Sequence, residues 1–179
     1  INGIPFQQRI IANQKIWLQH SELLLVCLKS WQVSDAVNAL IPHLSADCPI
    51  LLIHNGMGTL DELTLPETPT KRAILQGIIT HGAYQQDQKV LHTAEGITHI
   101  GPLNTTARQY GYLAEILHQA LPDVAWHNDI HTISWLKLAV NCVINPLTVF
   151  YQCRNGDLLK YPEHIQKVCD EVYQVMERE

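Results

Sequence analysis

The sequence of 179 residues is 46% hydrophobic and 16% charged, with a formal net charge of -5. That balance provides a core and excludes a disordered chain, and Lys and Arg are scattered without the basic run that a nucleic-acid surface needs. No apolar stretch reaches bilayer length and no signal-peptide pattern opens the chain, so neither a nucleic-acid nor a membrane partner is expected.

In chain order, "INGIPFQQ" places Asn2-Gly3 between two isoleucines, a hairpin signal with only one arm present. At the other end "VYQVMERE" is a helical pattern with no capping residue. Both ends predict coding sequence on either side. Glu22 to Lys29 ("ELLLVCLK") is a continuous apolar run, as in a parallel strand buried on both faces. A helix follows, with apolar residues at Val33, Val37, Leu40, Ile41 and Leu44. "PILLIHNGMG" reads as a second buried strand entering a Gly-bearing loop, and "TLDE" (Thr59 to Glu62) as a capping box that starts a helix. "AILQGIITHGAY" is a third strand. This alternation predicts an α/β domain with a parallel sheet.

"KVLHTAEGITHIGP" is expected to form a hairpin turning at Ala94 to Gly96 and ending the sheet at an antiparallel edge. "NTTARQYGYLAEILHQAL" is a helix stopped by Pro122, and "PDVAWHNDI" an irregular exit from the domain. From Asp129 onward the pattern is helical, with Pro162 at the first turn of the last helix. The predicted architecture is an α/β domain over 1–128 and the start of an all-helical domain over 129–179. The five cysteines (Cys27, Cys48, Cys142, Cys153 and Cys169) are odd in number and lack a CxxC pair. Most sit inside apolar runs, and they read as buried thiols in a reducing, cytoplasmic setting.

Within "SWLKLAVNCVINP", Lys137, Asn141 and Asn145 interrupt an apolar run at a step of four. On a helix that step advances only about 40°, so the three lie in one narrow stripe with Ser134 and Thr148. A helix apolar around the rest of its circumference is expected to be buried, with its polar stripe facing a polar partner. Two readings stand: a narrow solvent face, or one wall of a cleft for a small polar ligand. Two short amides are unusual for a solvent face, being poor helix formers with directional hydrogen bonding. Pro146 is expected to kink or interrupt the helix at Asn145.

The loop "HNGMG" (His54 to Gly58) falls where a parallel strand ends, the place where open α/β sheets bind ligands. Its two glycines suit close backbone approach, and Asn55 offers an amide; alternatively it is only a turn. Lys29, in "CLKSWQ" after the first strand, is either a surface lysine at a helix start or a group for a ribose or phosphate.

Taken together, "LKSWQ", "HNGMG", "GITHIG" and "WLKLAVNCVINPLT" resemble the ketopantoate reductase (2-dehydropantoate 2-reductase) family over essentially the whole chain. The resemblance implies a Rossmann-type NADP-binding domain followed by a helical domain, with the active site in the cleft between them. It implies reduction of a small keto acid, 2-dehydropantoate, to pantoate with NADPH, a step towards pantothenate and coenzyme A. By resemblance Lys137 is the catalytic proton donor, Asn141, Asn145 and Asn155 bind substrate, Asn55 touches cofactor and substrate, and Lys29 and Ala83 contact the cofactor. The family's GxGxxG turn would precede Ile1, and the serine and glutamate completing its site would follow Glu179.

Three other readings compete. A related reductase would act on a different 2-oxo acid. A truncated module would bind without catalysing. His127 and His131 in "HNDIH" suggest a metal pair, but no HExxH occurs and Asp129 lies off their shared helix face, so no metal is expected.

Overall fold

The computed structural model describes residues 14–65, 71–87 and 89–178, so the Asn2-Gly3 hairpin signal lies outside the described residues. The chain divides into two compact units, Ile1–Ile130 and His131–Glu179. The described strands are β1 (Leu24–Val26), β2 (Ile50–Ile53), β3 (Ile74–Ile79), β4 (Gly82–Gln86), β5 (Lys89–Ala94), β6 (Thr98–Pro102) and β7 (Val124–Trp126). The α-helices are α1 (Ser30–Leu40), α2 (Leu113–His118), α3 (Ile130–Tyr151) and α4 (Pro162–Met176).

In the first unit the five-stranded sheet has the order β1-β2-β3-β6-β7. The first three strands are parallel, with Val26 beside Leu52 and Ile53 beside Gly77. β6 is antiparallel to β3, and β7 is parallel to β6. Side chains alternate across a strand, so β2 needs cover on both sides. Ile50 and Leu52 pack with Val33 and Val37 of α1, whereas Leu51 joins Leu75, Ile100, Ala107 and Leu113 under α2 and the 3-10 turn Thr106–Tyr110. Ile50, Leu51, Leu52, Ile74, Leu75 and Ile100 are fully buried. Each such side chain contributes about 1.5–3 kcal/mol of transfer free energy. This is a Rossmann-type α/β fold, mostly parallel, followed by helices: the sequence patterns predict the α/β unit and the helices, and the resemblance implies the Rossmann type.

Several local expectations need correction. The Lys89–Pro102 segment is not one hairpin. β5 folds back on β4 as a separate ribbon, and β6 instead enters the main sheet beside β3. The predicted third strand is accordingly two, β3 and β4, broken at Thr80 and His81. The irregular exit contains β7, the actual edge strand. β1 lies at the other end of the sheet order, which leaves Leu25 47% exposed despite its apolar run. "TLDE" forms a short 3-10 turn rather than a helix, because left-handed Gly58 (φ 89°) occupies its N-cap and Thr59 is spent elsewhere. All five thiols are free, but only Cys48 is buried.

In the second unit α3 runs unbroken through Pro146. Proline removes one backbone donor without ending a helix that has turns on both sides to carry it. The 3-10 turn Asn155–Lys160 and α4, which begins at Pro162, complete the unit. α3 is not buried all round: Leu136, Val140, Val149 and Phe150 are exposed, and Leu147 is its one buried residue within this unit. By length and composition α3 is also apolar enough to cross a membrane, contrary to the expectation that no stretch is. Its three polar interruptions share one stripe and dilute the composition little.

Candidate active site

Lys29 follows β1, Asn55 follows β2, and Ala83 lies four residues past β3. The parallel register carries the ends of these three strands to one edge of the sheet, and the polar loops with them. Lys29 is the N-cap residue of α1. Its N–H donates to Gln32 Oε1 (3.2 Å), and the Gln32 N–H donates to its carbonyl (2.8 Å). A lysine side chain has no acceptor, so these bonds use only its backbone and leave the ammonium out of the cap.

The loop after β2 turns on two glycines in left-handed backbone, Gly56 (φ 104°) and Gly58 (φ 89°). A Cβ built on Gly56 meets only the Ser30 Cβ, at 3.9 Å, and one on Gly58 meets nothing within 4 Å. The loop therefore offers open space to a ligand approaching its backbone, alongside the exposed Asn55. His54 bridges the loop. Its Nε2 lies 2.9 Å from Thr59 Oγ1 and its Nδ1 3.3 Å from the Asn55 carbonyl oxygen. The pairing of His54 with Thr59 has no sequence signal, because a spacing of five in a glycine loop matches no periodic pattern. Ala83 lies on β4 opposite His92, in the exposed ribbon rather than the main sheet. At the foot of that ribbon the His81 Nδ1 accepts the Gly96 N–H at 3.1 Å and stands 3.1 Å from His92 Nε2.

His127, one of the suspected metal pair, sits just past β7, with its ring 2.8 Å from His99 Nδ1. Burial and then the neighbouring His127 charge hold the His99 imidazole below its ordinary pKa. Both effects disfavour the protonated ring.

In the second unit Lys137 and Asn141 are half-buried and Asn145 is exposed, on one continuous helix. Asn141 and Asn145 border a shallow depression with Pro146, Val149 and Phe150. Their amides and the Lys137 ammonium make no side-chain hydrogen bond among the described residues; the Asn145 carbonyl accepts from Thr148 Oγ1 at 2.9 Å. Asn155 borders a different, apolar groove, with Val140, Val143 and Ile144 of α3 and Ile165 and Val172 of α4. The four residues assigned to substrate chemistry on this unit thus divide: three on the stripe, Asn155 beside the apolar groove.

These features define a Rossmann-type α/β unit with ligand-ready loops at its parallel strand ends, followed by a helical unit bearing one ammonium and two amides in register. Comparison with known proteins narrows the class. The model of "Ketopantoate reductase PanE/ApbA" matches residues 4–105, and that of "Ketopantoate reductase PanE/ApbA C terminal" matches residues 129–179. The chain belongs to the ketopantoate reductase PanE/ApbA family. It is 54% identical to the 2-dehydropantoate 2-reductase of Yersinia pestis over 179 residues, 100% of this chain and 58% of the relative. The corresponding reductase of Shigella flexneri is 51% identical over 178 residues, 99% of this chain and 57% of the relative. The chain thus spans somewhat more than half the length of the curated relatives it matches. A PanE/ApbA family ketopantoate reductase from Ralstonia eutropha JMP134 shares the fold with a TM-score of 0.72 at 22% identity, covering 92% of this chain and 54% of that one.

Proposed function

We propose that the chain belongs to an enzyme that reduces 2-dehydropantoate to pantoate with NADPH, serving pantothenate and coenzyme A synthesis. The observation that carries this reading is the Lys137–Asn141–Asn145 stripe, set in a chain of which every residue falls within the match to a 2-dehydropantoate 2-reductase. The first unit, with its cofactor contacts Lys29, Asn55 and Ala83, is the NADP-binding domain. The second is the substrate domain, and α3 is its central helix rather than a membrane span. The family's C-terminal model over residues 129–179 supports that assignment.

NADPH, when bound, supplies the hydride. Reduction builds negative charge on the ketone oxygen. The Lys137 ammonium stabilises that charge and delivers the proton. Asn141 and Asn145 hold the keto acid through directional amide hydrogen bonds, which fix the face presented for reduction. The lysine charge also attracts the anionic substrate. Asn155 is assigned as a further substrate contact by resemblance alone. Five free thiols support a reducing, cytoplasmic setting.

The test is Lys137→Ala in the full-length protein, following NADPH oxidation with ketopantoate. A general acid contributes about 10²–10⁴-fold, so turnover falls by that factor. An unimpaired rate removes Lys137 from the mechanism. A panel of other 2-oxo acids with the unsubstituted enzyme separates ketopantoate from a related substrate.

A further inference from the structure

Asn55 sits at the start of a loop with two left-handed glycines, a stretch with much backbone freedom to lose. A residue that contacts both cofactor and substrate needs its backbone fixed by something outside those glycines. The His54 ring is placed to do this. The Asn55 carbonyl oxygen can only accept, so the hydrogen bond to it requires a proton on Nδ1. In the neutral ring Nε2 is then an acceptor, and the Thr59 hydroxyl donates to it at 2.9 Å. One tautomer satisfies both contacts.

The far end of the bridge is anchored. Thr59 is 7% exposed and begins the 3-10 turn Thr59–Glu62, in which the Asp61 N–H donates to the Gly58 carbonyl. That turn is tied to α1 through Asn38, whose Oδ1 accepts the Thr64 N–H at 2.8 Å and whose Nδ2 donates to the Glu62 carbonyl at 3.4 Å. A path of hydrogen bonds therefore leads from a helix of the core to the main chain of Asn55.

We propose that His54 and Thr59 are positioning residues: the buried Thr59 hydroxyl orients the His54 ring, and the ring sets the main chain that presents the Asn55 amide to cofactor and substrate. This rests on the reading of Asn55 as a ligand contact. Without the bridge the loop samples other backbone states, and binding weakens while the chemical step does not.

The test uses the full-length protein and compares Thr59→Val, which removes the hydroxyl at nearly constant shape, with Thr59→Ser, which keeps it. Thr59→Val is expected to raise KM for NADPH and for ketopantoate about five- to tenfold, the effect of losing one buried hydrogen bond. kcat stays within about twofold, and Thr59→Ser restores both KM values. In an Asn55→Ala background Thr59→Val adds less than about twofold, because the two residues act as one unit. If Thr59→Val does not fold, His54→Asn serves in its place; it keeps a donor near Asn55 but cannot reach Thr59. KM values unchanged in Thr59→Val, whatever its melting temperature, overturn the proposal, as does a full additive penalty in the Asn55→Ala background. Asn55→Ala with unchanged KM overturns the ligand role of Asn55 and the clamp with it. An impaired Asn55→Ala beside an unimpaired Thr59→Val overturns the clamp alone.

Discussion

Substituting Gly101 by alanine tests how tightly β6 is packed against the segment that follows β7. A Cβ at Gly101 would stand 2.8 Å from the Ile130 Cβ and closer still to the His127 carbonyl oxygen. Carbon atoms in contact prefer about 3.5–4.0 Å, so the Ile130 side must retreat by about 1 Å. Ile130 is fully buried and has no slack. The segment is also fastened to β6 by the His127 N–H, which donates to the Ile100 carbonyl at 2.8 Å. Relief therefore breaks that bond and parts the His99–His127 rings. Overpacking of about 1–3 kcal/mol and a lost backbone bond of about 1 kcal/mol give an expected destabilisation of about 2–4 kcal/mol. Urea unfolding should show a lower midpoint with an unchanged slope. Gly111→Ala is the control. Its Cβ would meet Trp126 at an ordinary 3.6 Å, and its φ of -55° suits alanine. It should be neutral or stabilising by about 0.4–1 kcal/mol. A Gly101→Ala change under about 0.5 kcal/mol would refute the packing argument.

Asn104 serves three backbone groups: Nδ2 donates to the Arg72 carbonyl at 2.7 Å, and Oδ1 accepts the N–H groups of Ala107 at 3.0 Å and Ile74 at 3.3 Å. Asn104→Ala should cost about 2–4 kcal/mol in the same assay, with Asn104→Asp intermediate because it keeps the acceptor. His99 has a folded pKa below its ordinary value near 6.5, so the unfolded chain takes up its proton first as pH falls. The stabilisation is present above about pH 6.5 and is lost as pH drops towards the folded pKa. The melting temperature should therefore fall less between about pH 7 and pH 5 in His99→Gln than in the unsubstituted protein; equal slopes would remove His99 from the pH response.

Much of the fold was legible because its signals are local. The apolar runs of β2 and β3 bury themselves in the sheet, and the step of four in Val33 and Val37 places α1 against it. Pro162 begins α4 as its missing N–H allows. The ribbon was not legible, because β5 has two available neighbours in sequence. Which one it pairs with depends on long-range register, and a break at Thr80 and His81 sends β4 out of the sheet to meet it. The apolar pattern of α3 predicts burial, and among the described residues Leu136, Val140, Val149 and Phe150 are nevertheless exposed.

The candidate site divides along the same line. A helix rotates by a constant angle per residue, so spacing alone determined that Lys137, Asn141 and Asn145 share a stripe. Spacing alone likewise put Lys29 and Asn55 after strands. The strand–helix alternation predicted a parallel sheet, but only the tertiary structure decided that β1, β2 and β3 are direct neighbours in that order, which brings their loops to one edge. It also decided that Asn155 borders an apolar groove away from the amide stripe, and that a histidine and a threonine five residues apart close a bridge beneath Asn55. Those placements arise from pairing and packing between segments distant along the chain, and no local periodicity encodes them.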